Sequence, residues 1–121
     1  MRKKREIKQL KKDKKDKYKE FVLQVKTRDN YTCQICNKTF ESPLAIQAMH
    51  ILSKENYPEL KYDVMNGLTG CFRDHKNSRL STHLDGFAFV LWFQEKFPDR
   101  YEYLKNKLKE INDKRNNDNR I

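Results

Sequence analysis

Asn66-Gly67-Leu68-Thr69-Gly70-Cys71-Phe72-Arg73-Asp74-His75 packs more structural signals into ten residues than any other part of the chain. It joins an Asn-Gly turn to a short apolar run, then a cysteine, an aspartate and a histidine. The pattern predicts a short strand near Leu68 to Cys71 and a helix beginning just after Cys71. Upstream, Cys33-Gln34-Ile35-Cys36 has the spacing that lets two thiolates reach one tetrahedral zinc ion from a tight turn. Where a second such pair would stand, the chain reads Cys71-Phe72-Arg73-Asp74, so the expected zinc ligands are Cys33, Cys36, Cys71 and the carboxylate of Asp74. Two other readings stand beside it: three thiols without a metal, or a site completed by water or His83.

Between these motifs Ser42-Pro43 breaks the chain, and Leu44 to Met49 predicts a strand leading into His50. Residues 52–65, with Pro58 and Asp63, read as an ordered loop. Further out, Tyr18, Phe21, Val22 and Val25 recur at helical spacing and predict a docking helix ending near Asp29-Asn30. Residues 2–20 are mostly Lys and Arg, which fits equally a solvated helix or an arm that orders on nucleic acid. Downstream, Phe87, Phe89, Val90, Trp92, Phe93 and Phe97 suit a buried helix that stops before Pro98. Asp99 then caps a last helix with Glu102 at its third position, burying Tyr101, Leu104, Leu108 and Ile111 on one face. The tail from Asn112 to Ile121 is expected to fray.

A chain of 121 residues makes one small domain whose core gains from a staple, and a metal is a natural one. Net charge of +10 favours polyanions through counterion release; a ribosomal or merely cationic surface protein is the plain alternative. The longest apolar run, Phe87 to Phe93, is far too short to span a bilayer, and no apolar signal region follows the basic start. A cytoplasmic protein without membrane contact is therefore expected. An odd number of cysteines, three, argues against a disulfide framework. With three glycines in all, a phosphate cradle is not expected.

Taken in order, Arg28-Asp29-Asn30-Tyr31-Thr32-Cys33-Gln34-Ile35-Cys36, His50-Ile51, Tyr57-Pro58-Glu59-Leu60-Lys61-Tyr62-Asp63, Asn66-Gly67 and His75 resemble the HNH nuclease family, in particular small bacteriophage-type HNH proteins. The likeness covers roughly Phe21 to Leu80. It implies a small α+β fold: a ββα-metal (HNH) motif with a zinc knuckle, flanked by an N-terminal basic helix and C-terminal helices. The division that follows is a basic arm at 1–20, a nuclease core at 21–84, a helical extension at 85–111 and a polar tail at 112–121. The resemblance makes His50 the general base, Asn66 the residue that bonds backbone near it, and His75 the ligand of a catalytic Mg²⁺ or Mn²⁺. Asp63 would assist in the same loop or stand exposed. Arg79, one helical turn after His75, would hold the scissile phosphate or be a plain surface arginine. One position departs from the pattern: many family members carry an Asp or His metal ligand before the base, and here it is Met49, a poor donor for Mg²⁺.

The expectation is thus a DNA endonuclease, nicking or of low specificity, with structural Zn²⁺, a catalytic divalent ion and phosphate contacts from the first helix. The alternative is a zinc-stabilised nucleic-acid-binding protein without catalysis. A third reading is a subunit recruited through the aromatic helix at Phe87 to Phe97.

Overall fold

The apolar spacing at Tyr18, Phe21, Val22 and Val25 does form a helix, and the basic stretch before it belongs to the same helix. In a computed structural model describing residues 3–71 and 86–118, α1 runs Lys4–Arg28 without a break. Of the two readings of the basic start, the solvated helix is the one observed. Side-chain bonds one turn apart support it, from Gln9 Nε2 to Asp13 at 3.0 Å and from Gln24 Nε2 to Glu20 at 2.8 Å. Glu6 in its first turn and Lys26 and Arg28 in its last suit the helix dipole. Asp29 closes the helix, and Asn30 and Tyr31 follow in left-handed conformations (φ 56° and 52°) that turn the chain away.

Two strands come next, β1 at Ile46–His50 and β2 at Gly67–Cys71, paired antiparallel with Ile46 opposite Cys71 and His50 opposite Gly67. The first strand starts later than Leu44, because Pro43–Ala45 forms a 3₁₀ turn in which the Ser42 hydroxyl accepts from Leu44 N at 3.3 Å. The loop expected at residues 52–65 contains a 3₁₀ turn at Pro58–Leu60 and ends in a second, Val64–Asn66, which reaches β2. Two helices follow, α2 at Gly86–Lys96 and α3 at Pro98–Asp118. The described residues thus form a small α+β unit of three helices and a two-stranded sheet. The helix expected after Cys71 lies outside them.

Strand geometry sends alternate residues to opposite faces, and each face of β2 meets a different partner. On one side α1 packs so closely that a Cβ at Gly67 would overlap Val25 Cγ2 and lie 2.9 Å from Phe21 Cζ. On the other, Leu68 joins Leu60, Phe89, Phe93 and Leu104 in the main cluster, with Tyr57, Trp92, Phe97 and Tyr101 packed around it. Full burial of each such Phe or Leu contributes about 2 kcal/mol.

The aromatic helix α2 is only half buried: Phe89 and Phe93 are core, while Phe87, Val90 and Leu91 are exposed. In α3, Pro98 takes the first position, where its missing N–H costs nothing, so Asp99 lies within the first turn and is not the cap. The polar tail remains helical to Asp118 because Arg115 donates to the Asn56 carbonyl at 2.6 Å and pairs with Glu59 at 3.3 Å.

A charged clamp fixes α1 to this assembly. Arg28 grips the Asp29 carboxylate with Nε and Nη2 (2.9 and 3.0 Å) and donates to the carbonyls of Val64 and Gly67, both at 2.7 Å. Asp29, 6 % exposed, also accepts from the Thr69 backbone N–H at 2.9 Å. Asp29→Ala strips the partner from a guanidinium and a buried amide together, and is expected to lower unfolding free energy by about 3 kcal/mol in urea titrations.

Candidate functional site

Cysteine chemistry is placed by a tight backbone turn. Cys33 N donates to the Lys38 carbonyl at 3.0 Å, Asn37 N donates back to the Cys33 carbonyl at 2.8 Å, and Thr32 bridges Thr39. Asn37 takes the left-handed conformation (φ 63°) that lets the turn close, a role asparagine tolerates. The Cys36 amide points at Cys33 Sγ, 3.5 Å away. Cys71, the last residue of β2, brings a third sulfur, and the three Sγ atoms lie within 4.8 Å of one another, with Cys36 and Cys71 3.9 Å apart. None is in a disulfide. Cys33 and Cys71 are buried and Cys36 half-buried. Three convergent sulfurs on a rigid turn and a strand end could hold a metal ion. The turn is itself anchored: Gln34 N donates to the Thr69 carbonyl at 2.9 Å, and the Lys96 ammonium donates to the Gln34 carbonyl.

The second site lies at the other end of the sheet, four strand residues or about 13 Å away. His50 ends β1 on the face opposite Met49, stacked on the Phe21 ring at a centroid distance of 4.9 Å and an angle of 9°. Its Nε2 lies 2.9 Å from the Lys61 carbonyl. A carbonyl only accepts, so Nε2 carries the hydrogen and in the neutral ring Nδ1 keeps the lone pair. Burial holds the imidazole pKa below its ordinary value, outweighing the Lys61 carbonyl, which favours the charged form; nearby Lys54 lowers it further. The ring is therefore neutral at pH 7.

His50 lines a cleft of about 600 Å³ walled by Tyr18, Val22 and Lys26 of α1, by β1, and by Lys54 and Glu55.

Asn66 is fully buried rather than an exposed turn residue. Its Oδ1 accepts from Leu52 N at 2.7 Å, and its Nδ2 donates to the carbonyls of Leu52 (3.0 Å) and Leu60 (3.1 Å). It thus closes both ends of the loop that presents the Lys61 carbonyl to His50. Asp63 caps the adjoining 3₁₀ turn, accepting from Met65 N at 2.9 Å, and its other oxygen accepts from the Tyr103 hydroxyl at 2.7 Å. Met49 is 1 % exposed, its sulfur filling the space a side chain at Gly70 would need, so it is a core residue.

The structure therefore brings together Cys33, Cys36 and Cys71; His50 ends β1 on the cleft wall, and Asn66 bonds the backbone at Leu52 and Leu60. Asp74, His75, Arg79 and His83 lie outside the described residues. Sequence reasoning missed the Arg28–Asp29 clamp, the Phe21 stack and the Tyr103–Asp63 bond; of these, only the adjacent Arg-Asp pair at a helix end left a local signal.

No family model, curated protein or solved structure matches this chain. Among the described residues no helix is long and apolar enough to cross a membrane.

Two measurements check this geometry. In an NMR titration His50 is expected to show the Nε2–H tautomer and a midpoint below 6.5. Because the folded state favours its neutral form, His50 adds stability that is complete above about pH 6.5 and is lost as pH falls through the folded pKa. In metal analysis of purified protein, Cys71→Ser is expected to lose the bound ion that the unaltered chain retains, and to unfold at a lower temperature.

Proposed function

We propose that this protein is a metal-dependent DNA endonuclease of the HNH type, cleaving phosphodiesters without strict sequence preference. The observation that carries the reading is His50: neutral, held through Nε2–H by a backbone carbonyl, stacked on Phe21 and lining an open cleft. A structural histidine would satisfy one ring nitrogen in the same way; the place of His50 on the wall of an open cleft is what favours a general base. The tether and the stack fix the ring plane, and the lone pair on Nδ1 accepts a proton from water as it attacks phosphorus. Lowered basicity keeps that lone pair available at neutral pH. Lys26 and Lys54, on the cleft walls, attract the phosphate backbone.

The sulfur cluster suits zinc in its chemistry: thiolates about 2.3 Å from a tetrahedral zinc stand about 3.8 Å apart, the Cys36–Cys71 separation is 3.9 Å, and all three sulfurs lie within 4.8 Å of one another. Asp74 is the proposed fourth ligand, from its place in the sequence. Zinc would tie the Cys33–Cys36 turn to the end of β2. His75 is the proposed ligand of Mg²⁺ or Mn²⁺, which when bound supplies positive charge against the phosphate and the leaving 3′ oxygen. The proposed setting is the cytoplasm.

Burial of Met49 favours a second reading, a zinc-stabilised binder of nucleic acid without catalysis, because the position before the base offers no metal ligand. Nicking of supercoiled plasmid with Mg²⁺ or Mn²⁺ separates the two. Expected are activity in the unaltered protein, a fall of about 10²- to 10⁴-fold in His50→Ala at unchanged DNA binding, and an acid limb with its midpoint below pH 6.5. DNA binding with no cleavage by any divalent ion leaves the second reading.

A further inference from the structure

Helix α1 is divided lengthwise into three stripes. At 100° per residue, Phe21 and Val25 share one face with Ile7, Leu10 and Tyr18, and this face meets the sheet near its C-terminal end. Glu6, Asp13, Asp16 and Glu20 lie together on a second face. On the third are Lys4, Lys8, Lys11, Lys15, Lys19 and Lys26, separated by intervals of three, four or seven residues that keep them in line, with Arg5 and Lys12 at its edge toward the acidic face and Lys14 and Lys17 on the other sides of the helix. Val22 falls on that same line. Since Tyr18, Val22 and Lys26 wall the His50 cleft, the lysine line opens onto the cleft and continues beyond it along the helix.

The geometry points to this lysine line as a track for one duplex DNA backbone, leading away from the catalytic cleft. The inference rests on the nuclease reading for its direction but not for its charge. From Lys4 to Lys26 the line is about 33 Å long at 1.5 Å per residue, close to the roughly 34 Å of one duplex turn. Residues 3–20 are all exposed, so the ammonium groups before the cleft are open to solvent. The acidic stripe lies on a separate face, where it repels a polyanion and so orients the helix against it. A track of this kind positions the duplex at His50 without reading its bases.

The test compares two double variants of equal charge in the metal-loaded chain: Lys11→Gln/Lys15→Gln on the line and Lys14→Gln/Lys17→Gln off it. Binding to a 30-base-pair duplex is followed by fluorescence anisotropy against salt without added Mg²⁺, with circular dichroism to match helix content. The on-line variant is expected to lower the slope of log K against log salt by about 2, near one for each phosphate that is no longer neutralised, and the off-line variant by less than about 1. Equal losses, or no loss in either, overturn the track. Plasmid cleavage is scored separately. Cleavage with equal slopes removes the track and keeps the nuclease; unequal slopes without cleavage keep the track and remove the nuclease.

Discussion

One carboxylate holds this small fold in register. Asp29 ends α1, accepts the outward amide of Thr69 in β2 and orients the Arg28 guanidinium, which in turn reaches the carbonyls of Val64 and Gly67. Helix end, strand and the 3₁₀ turn before it are thereby set by a single pair of adjacent side chains. The neighbouring carbonyl of Thr69 takes the amide of Gln34, so the cysteine turn is registered against the same strand residue. Among the described residues the sheet has two strands, which have little stability by themselves, and this shared anchorage lets distant sequence segments hold fixed positions.

The two faces of the sheet meet different partners. Met49 and His50 are adjacent in β1 and therefore diverge: one fills core beside Gly70, the other stacks under α1. The approach of α1 depends on the absence of a side chain at Gly67, opposite His50. Removing that space would lift Phe21 from the imidazole. The loop that supplies the Lys61 carbonyl is bound on its inside by Asn66 and on its outside by α3, through Tyr103 and Arg115. Helix α3 thus braces a segment 40 to 59 residues earlier in the chain.

What could be read from sequence was local or periodic. The Cys33–Cys36 spacing, the strand before His50 and the helical stripe of Phe21 and Val25 each follow from short-range geometry, and the structure contains all three. The tether on His50 could not be read, because any residue can offer a backbone carbonyl and Lys61 says nothing of its own. Nor could the bond between Tyr103 and Asp63, forty positions apart. The tail illustrates the reverse error: Asn112 to Asp118 has the composition of a fraying end, yet Arg115, which also lies 5.1 Å from the Tyr57 ring, gives it a tertiary hold that composition does not register. The exposed half of α2 escaped for a related reason, since apolar residues all round a helix do not say which of them will find a partner.

The cysteine turn and Cys71 are far apart along the chain, and everything that shapes the His50 site except α1 and the C-terminal helices lies between them. A metal bridging these sulfurs would close a loop of nearly forty residues, and a cross-link over such a length would remove chain entropy from the unfolded state worth about 4 kcal/mol. Metal supply would then act as a gate on maturation: a chain made in a metal-poor cell would lack the clasp around β1 and its histidine. The quantity of assembled site would follow the ion's availability as well as the rate of synthesis.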